Sequence, residues 1–276
     1  MRQALAALPG YFESVTSIEG VEAGDLFSLN QLLGATIEVQ VVNTLNKMRS
    51  VWDPNDELEN FFFQRQAQTF PDVRLVNTTA GSPVPILGIE LKGWYLLSKE
   101  HEPSLRYKTT PTACADIDLI AVFPWHLSNV LAGTPVVLSP WVESAKYAAD
   151  AKNHWWQHVR ESSLDKGIKS PEASPYPVGR AEVRDKPHRD SGNNFGRLAR
   201  VTGLMPEFVA ENCEHRVAGI PAASWITFFK LVAESSSTAK LKGQLVKHLT
   251  ATDNPEVAAR VENIAALIET LLEPTD

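Results

Sequence analysis

The chain predicts a mixed α/β or α+β core, a central mixed sheet flanked by helices, with a helical C-terminal part. Three observations predict it. A helical apolar repeat runs over residues 28–49, a block of strand-like segments follows between Phe61 and Phe123, and helical texture returns from residue 141 and again in the last third. With 276 residues, 43% hydrophobic and 21% charged, the chain is long enough to bury a core without staples. Two cysteines, Cys114 and Cys213, exclude a disulfide framework and a four-cysteine zinc site. No apolar run reaches the roughly 18–20 residues that span a bilayer. Met1 to Tyr11 is too weak for a secretory signal, so a cytoplasmic location is expected.

Taken in order, Leu29, Leu33, Ile37, Val41, Leu45 and Met48 recur three or four apart, which predicts the first helix, with Ser28 as its N-cap. Gly34 weakens the first turns, and Asp53-Pro54-Asn55-Asp56 ends the pattern. Phe61 to Phe70 fits strand or helix. Val73 to Val76 is a short extended segment, followed by a turn at Ala80-Gly81-Ser82-Pro83. Ile86 to Leu97 is the strongest strand, apolar, aromatic and bounded by turn residues. Leu105 to Thr110 alternates and is a further strand candidate; Leu119 to Phe123 has the length and texture of a buried strand, and Val136 to Leu138 is a shorter one. Residues 141–162 read as helix. Residues 165–194 hold four prolines and few apolar side chains, which predicts a long loop or arm. Helices from about Pro221 and from Pro255 to Leu272 place proline at a first helical position. The expected division is 1–200 for the core with its arm and 201–276 for a helical subdomain, or one continuous domain.

The net charge of −7 excludes a uniformly basic binder, but the charge is uneven. Residues 1–71 carry nine acids and four bases, and residues 204–276 carry ten and six. Residues 179–203 reverse the balance with six bases and three acids.

The chemistry concentrates in Phe70-Pro71-Asp72-Val73-Arg74-Leu75, a hairpin-like turn, and Gly88-Ile89-Glu90-Leu91-Lys92-Gly93-Trp94. Side chains two apart share a face of a strand, so Glu90 and Lys92 project together from an exposed face while Ile89 and Leu91 enter the core. A neighbouring strand that starts near Asp72 brings a second carboxylate beside them. Carboxylate oxygens suit Mg²⁺, which binds few protein ligands and keeps several waters. A lysine at the same edge orients a water and stabilises charge on phosphorus, so the pattern points to metal-assisted phosphodiester hydrolysis.

At these positions the sequence resembles the PD-(D/E)xK nuclease superfamily, and within it the type II restriction endonucleases. Asp72 matches the motif aspartate, and Glu90 with Lys92 matches the E-x-K pair. The resemblance covers residues 28–125. It implies a restriction-endonuclease-like core, Mg²⁺ held by Asp72 and Glu90, and Lys92 positioning the attacking water. It also implies a glutamate on the preceding helix, for which Glu38 is the candidate and Glu57 and Glu59 the alternatives. The second triplet, Asp150-Ala151-Lys152, lies in helical texture, where residues two apart do not share a face, and it lacks a Pro-Asp strand upstream.

Specific cutting of duplex DNA follows as the expected activity. Two strands call for two active sites, hence a symmetric homodimer with the C-terminal helices as candidate contact, and a DNA methyltransferase as the protecting partner. A repair or structure-specific nuclease of the same fold, or a non-catalytic DNA-binding module, are the rival readings. In the arm, Arg189, Asn193, Asn194, Arg197 and Arg200 are candidates to reach DNA, since arginine and asparagine pair with base edges. His154 and His158 are four apart but have no third ligand in sequence, so they read as part of a helix packed by Trp155 and Trp156. Lys99, Glu100 and Glu102 read as a solvated turn, Asp116 and Asp118 as turn acids, and Trp94 as core with substrate contact the alternative.

Overall fold

A computed structural model describes residues 1–21, 29–66, 69–77, 79, 85–98, 102–234 and positions 240, 241, 243, 244 and 247. The chain is a mixed α/β structure built on a six-stranded mixed sheet flanked by helices. Strand β1 (Phe61–Arg65) pairs antiparallel with β2 (Val73–Asn77), and β2 pairs antiparallel with β3 (Pro85–Tyr95). Strand β3 then runs parallel to β4 (Leu119–Leu127). The far edge of β4 is shared by β5 (Pro135–Val137), against Trp125 to Leu127, and β6 (Trp141–Ser144), against Leu119 to Val122. All nine residues of β4 are buried, as a continuous apolar run demands at the centre of a sheet covered on both faces.

Helix α1 spans Arg2–Ala7 and α2 spans Leu29–Lys47, the latter packing on β1 and β3 through its stripe of Leu33, Ile37, Val41 and Leu45. Asn46 fixes it to the sheet edge, donating to the Phe63 carbonyl at 2.8 Å and accepting from the Phe63 amide at 2.8 Å. The helix stops before Arg49, where the separate turn α3 (Arg49–Trp52) begins. Asp53 then closes the break by accepting from the amides of Glu57 and Leu58, each at 2.9 Å. Ser28, the turn at residues 80–83, and the helix expected from Pro255 to Leu272 lie outside the described residues.

Four expectations change. Residues 141–144 form β6, and helix α4 (Ala145–His154) starts only after Ser144, whose hydroxyl caps the Tyr147 amide. The Trp-Val-Glu-Ser start carries a β-branched and an aromatic residue, and the open edge of β4 takes it as a strand. Among the described residues, Leu105 to Thr110 pairs with no strand of the main sheet. Its backbone bonds go to the arm instead: Tyr107 N–H to Gly196 O at 2.7 Å, Thr110 N–H to Val183 O at 2.8 Å, and Leu198 N–H to Leu105 O at 3.0 Å. Pro221 lies in a two-residue hairpin, β9 (Arg216–Val217) and β10 (Ile220–Pro221), turned by Ala218 and Gly219 at φ 50° and 81°. Helix α7 (Ala222–Glu234) follows directly, and Pro206 takes the first-turn position in α6 (Pro206–Glu214) instead. The fourth change concerns Glu90, described with the site.

The arm carries strand β7 (Ile168–Lys169), helix α5 (Arg180–Val183) and strand β8 (Lys186–Pro187), with β7 and β8 paired. Asp118, wholly buried, joins this arm to the sheet by accepting from Gly88 N–H at 2.7 Å, Ala115 N–H at 2.8 Å and the Tyr176 hydroxyl at 2.7 Å. Its role is that of the turn acid expected from sequence. A Cβ at Gly88 would lie 2.5 Å from Pro71 Cγ and 2.8 Å from Asp118 Oδ1. Gly88→Ala is therefore expected to destabilise by about 1–3 kcal/mol through overpacking. An unchanged denaturation midpoint would count against this packing.

The described part of residues 201–276 shares one hydrophobic core with the sheet: Met205, Val217, Ala222 and Phe229 belong to the same buried cluster as Leu91 and Phe123. Trp94 is core, its ring 6.0 Å from Phe208 of α6. At the same junction the rings of His126 and His215 lie 5.4 Å apart, and burial holds both below the ordinary histidine value of 6.5. The unfolded chain takes up these protons first, so this contribution to stability is complete above pH 6.5 and lost as pH falls below it. His126→Gln is expected to flatten that slope in melting temperature against pH; an unaltered slope would exclude His126 as its source.

Candidate active site

Strand β2 pairs Val73 with Ile89, so Asp72, one residue earlier, enters beside Glu90 on β3. Its carboxylate is fixed there by the Leu91 amide, which donates to Asp72 Oδ2 at 2.9 Å. Lys92 Nζ lies 2.6 Å from Glu90 Oε1 and 3.8 Å from Asp72 Oδ2, and also donates to the Leu91 carbonyl at 3.2 Å. The three side chains named from sequence thus meet at one point.

The face that carries them is not the exposed one expected. Glu90 is only 8% exposed, because the 105–110 segment and the arm wall this side of the sheet into a cleft of about 400 Å³. Thr69, Phe70, Asp72, Glu90, Lys92, Arg106, Lys108, Thr109, Val183, Arg184 and Asn193 line it. Alternation along β3 set which residues face together; the cover came from segments distant in sequence.

Burial pushes the Glu90 carboxyl up to about 7, with Asp72 pushing the same way and Lys92 opposing. Burial pulls the Lys92 ammonium down, yet the Glu90 and Asp72 carboxylates outweigh it and hold it above the usual lysine range. Lys92 is therefore a firm positive charge set between two carboxylates. Glu38, half-buried on α2, does not line the cleft, but its carboxyl is raised first by burial and then by Asp72. Arg65 Nη2 lies 3.4 Å from it. Glu57 and Glu59 are exposed and do not line the cleft. Among the described residues no three His, Cys, Asp or Glu side chains group closely enough to form a ready metal cage.

Of the candidates to reach DNA, only Asn193 lines the cleft, with Lys108 Nζ donating to its Oδ1 at 3.3 Å. Arg189 is exposed elsewhere on the arm, and Arg197 forms a backbone bridge with Arg106. Asn194 and Arg200 are engaged internally. Asp190 accepts from the Asn194 amide at 2.7 Å, while Arg200 donates to Asn194 Oδ1 and, at 2.9 Å, to Glu102. Lys99 and Glu100 lie outside the described residues. His154 and His158 are exposed with rings 5.1 Å apart, beside the buried Trp156.

Sequence reasoning missed Arg106, Lys108 and Arg184. The signal for the first two was present in the alternation of Arg106-Tyr107-Lys108-Thr109, where Tyr107 and Thr109 are buried. No protein-family model matches the chain, and no curated protein matches it either.

Proposed function

We propose that the chain is a Mg²⁺-dependent type II restriction endonuclease of the PD-(D/E)xK kind, cutting duplex DNA at a short specific site. The observation that carries this reading is the meeting of Asp72, Glu90 and Lys92 on adjoining strands inside one cleft, with Lys92 Nζ 2.6 Å from Glu90 and 3.8 Å from Asp72. The antiparallel β1-β2-β3 run followed by parallel β4 supports a restriction-endonuclease-like core.

The donor set suits a hard divalent cation: two carboxylates open to one cleft, one of them pushed up to about 7 by burial and by its neighbour's charge. Asp72 and Glu90 would hold the Mg²⁺, with Glu38 assisting directly or through water. Bound there, Mg²⁺ supplies a Lewis acid for a phosphoryl oxygen and makes a coordinated water more acidic. Lys92 orients the attacking water and offsets negative charge growing on the phosphoryl oxygens. Its ammonium is already fixed by two carboxylates, so little reorganisation is needed at the moment of reaction. A homodimer on a palindromic site, and a DNA methyltransferase protecting the host, complete the proposal.

The test is digestion of long, unmodified duplex DNA with Mg²⁺, beside EDTA and Lys92→Ala controls. Discrete fragments that vanish in both controls are the expected result, and their ends identify the site. Folded protein that leaves several unrelated duplexes intact, yet cuts branched or single-stranded DNA, would move the reading to a structure-specific nuclease.

A further inference from the structure

We infer that Arg106, Lys108 and Arg184 form a phosphate-binding rail that holds the sugar-phosphate backbone of the strand lying in the cleft. The inference takes its ligand from the nuclease reading and goes beyond it in assigning residues from two other segments to substrate binding. Arg106 and Lys108 are two apart on an extended segment whose alternate residues, Tyr107 and Thr109, are buried, so both cations turn to the cleft. An antiparallel bridge between Thr109 and Arg184, with Asp185 N–H donating to Lys108 O at 2.8 Å, sets the third cation beside them.

Charge bookkeeping points to an anionic ligand. Lys92 is already balanced by Glu90 and Asp72. Among the described residues neither Arg106 nor Arg184 has a carboxylate partner, and Lys108 donates to an uncharged asparagine. Three such cations on the wall of one cleft, in a protein of net charge −7, offset the repulsion that Asp72 and Glu90 exert on an incoming phosphodiester. The guanidinium fork matches phosphate oxygens in pairs.

The test is fluorescence anisotropy with labelled duplex and single-stranded 20-mers, in EDTA so that no cleavage intervenes, across a series of KCl concentrations. The slope of log affinity against log salt counts neutralised phosphates, about 0.9 per contact on duplex and about 0.7 on single strands. Arg106→Ala/Lys108→Ala/Arg184→Ala is expected to flatten the slope by about two to three on the strand type that the cleft accepts. Arg106→Lys/Arg184→Lys restores it, and Lys230→Ala, an exposed control on α7, leaves it unchanged. An unaltered slope in the triple variant, with its melting temperature preserved, overturns the rail, as does a wild-type protein that binds neither DNA. Binding with the expected slope loss but no Mg²⁺-dependent cutting keeps the rail and removes the catalytic reading. Cutting with an unaltered slope does the reverse.

Discussion

Lys92→Ala is expected to lower kcat for DNA cleavage by roughly 100- to 1000-fold, the usual loss when a preorganised charge aimed at a transition state is removed. Among the described residues the ammonium is the one positive charge held within 4 Å of both Asp72 and Glu90, and burial makes its field stronger than it would be in water. Loss of the lysine leaves Glu90 with an unbalanced charge, but a carboxyl already pushed up to about 7 takes a proton readily. The fold is therefore expected to survive, and the melting temperature of the variant checks that it does. Lys92→Ala that is folded and cuts within threefold of the wild-type rate would remove Lys92 from the chemistry.

Asp185→Ala is expected to cost about 3–5 kcal/mol of stability, as the breaking of a buried ion pair does. The Lys152 side chain is 1% exposed, and among the described residues its Nζ bonds to Asp185 Oδ2 at 3.0 Å and the Thr109 carbonyl at 2.7 Å, among the rings of Phe195 and Tyr107. Burial already pulls its ammonium below the ordinary value, with Asp185 opposing. Without Asp185 the ammonium loses its counter-ion where water cannot replace it, and the Asn153 amide loses its 2.8 Å partner. At this chain length the loss corresponds to a fall in melting temperature on the order of 10 °C. Lys152→Met/Asp185→Leu is expected to recover most of it, because a packed apolar pair carries no desolvation penalty. A melting temperature within 2 °C of wild type for Asp185→Ala would falsify this account.

The meeting of Asp72, Glu90 and Lys92 was legible because its geometry is local. Period-two alternation puts Glu90 with Lys92, and a single hairpin register puts Asp72 beside them. The sheet's inner strands were legible for a similar reason, since the apolar face of β3 (Ile89, Leu91) and the continuous run Leu119 to Phe123 call for burial. What escaped depends on contacts far apart in sequence. Leu105 to Thr110 alternates like a sheet strand, yet its partners are Val183, Gly196 and Leu198 of the arm. The triplet Asp150-Ala151-Lys152 lies within helix α4, and nothing local shows that Lys152 meets Asp185, thirty-three residues on. Trp141 to Ser144 carries a helical-looking continuation, and only the vacant edge of β4 makes it a strand.

The backbone bonding of 105–110 to both 183–185 and 196–198 bears on how a ligand would be met. Because Lys108, Thr110 and Leu105 are tied to the arm through main-chain bonds, the wall and the arm behave as one piece, and the width of the cleft is set when the chain folds. On the proposed reading, a strand entering it would find this stretch of backbone already placed, and the ordering cost of binding would fall on exposed side chains such as Arg106 and Arg184. Discrimination between strands would then rest on their own capacity to deform into a slot of fixed width lined by Asp72 and Glu90.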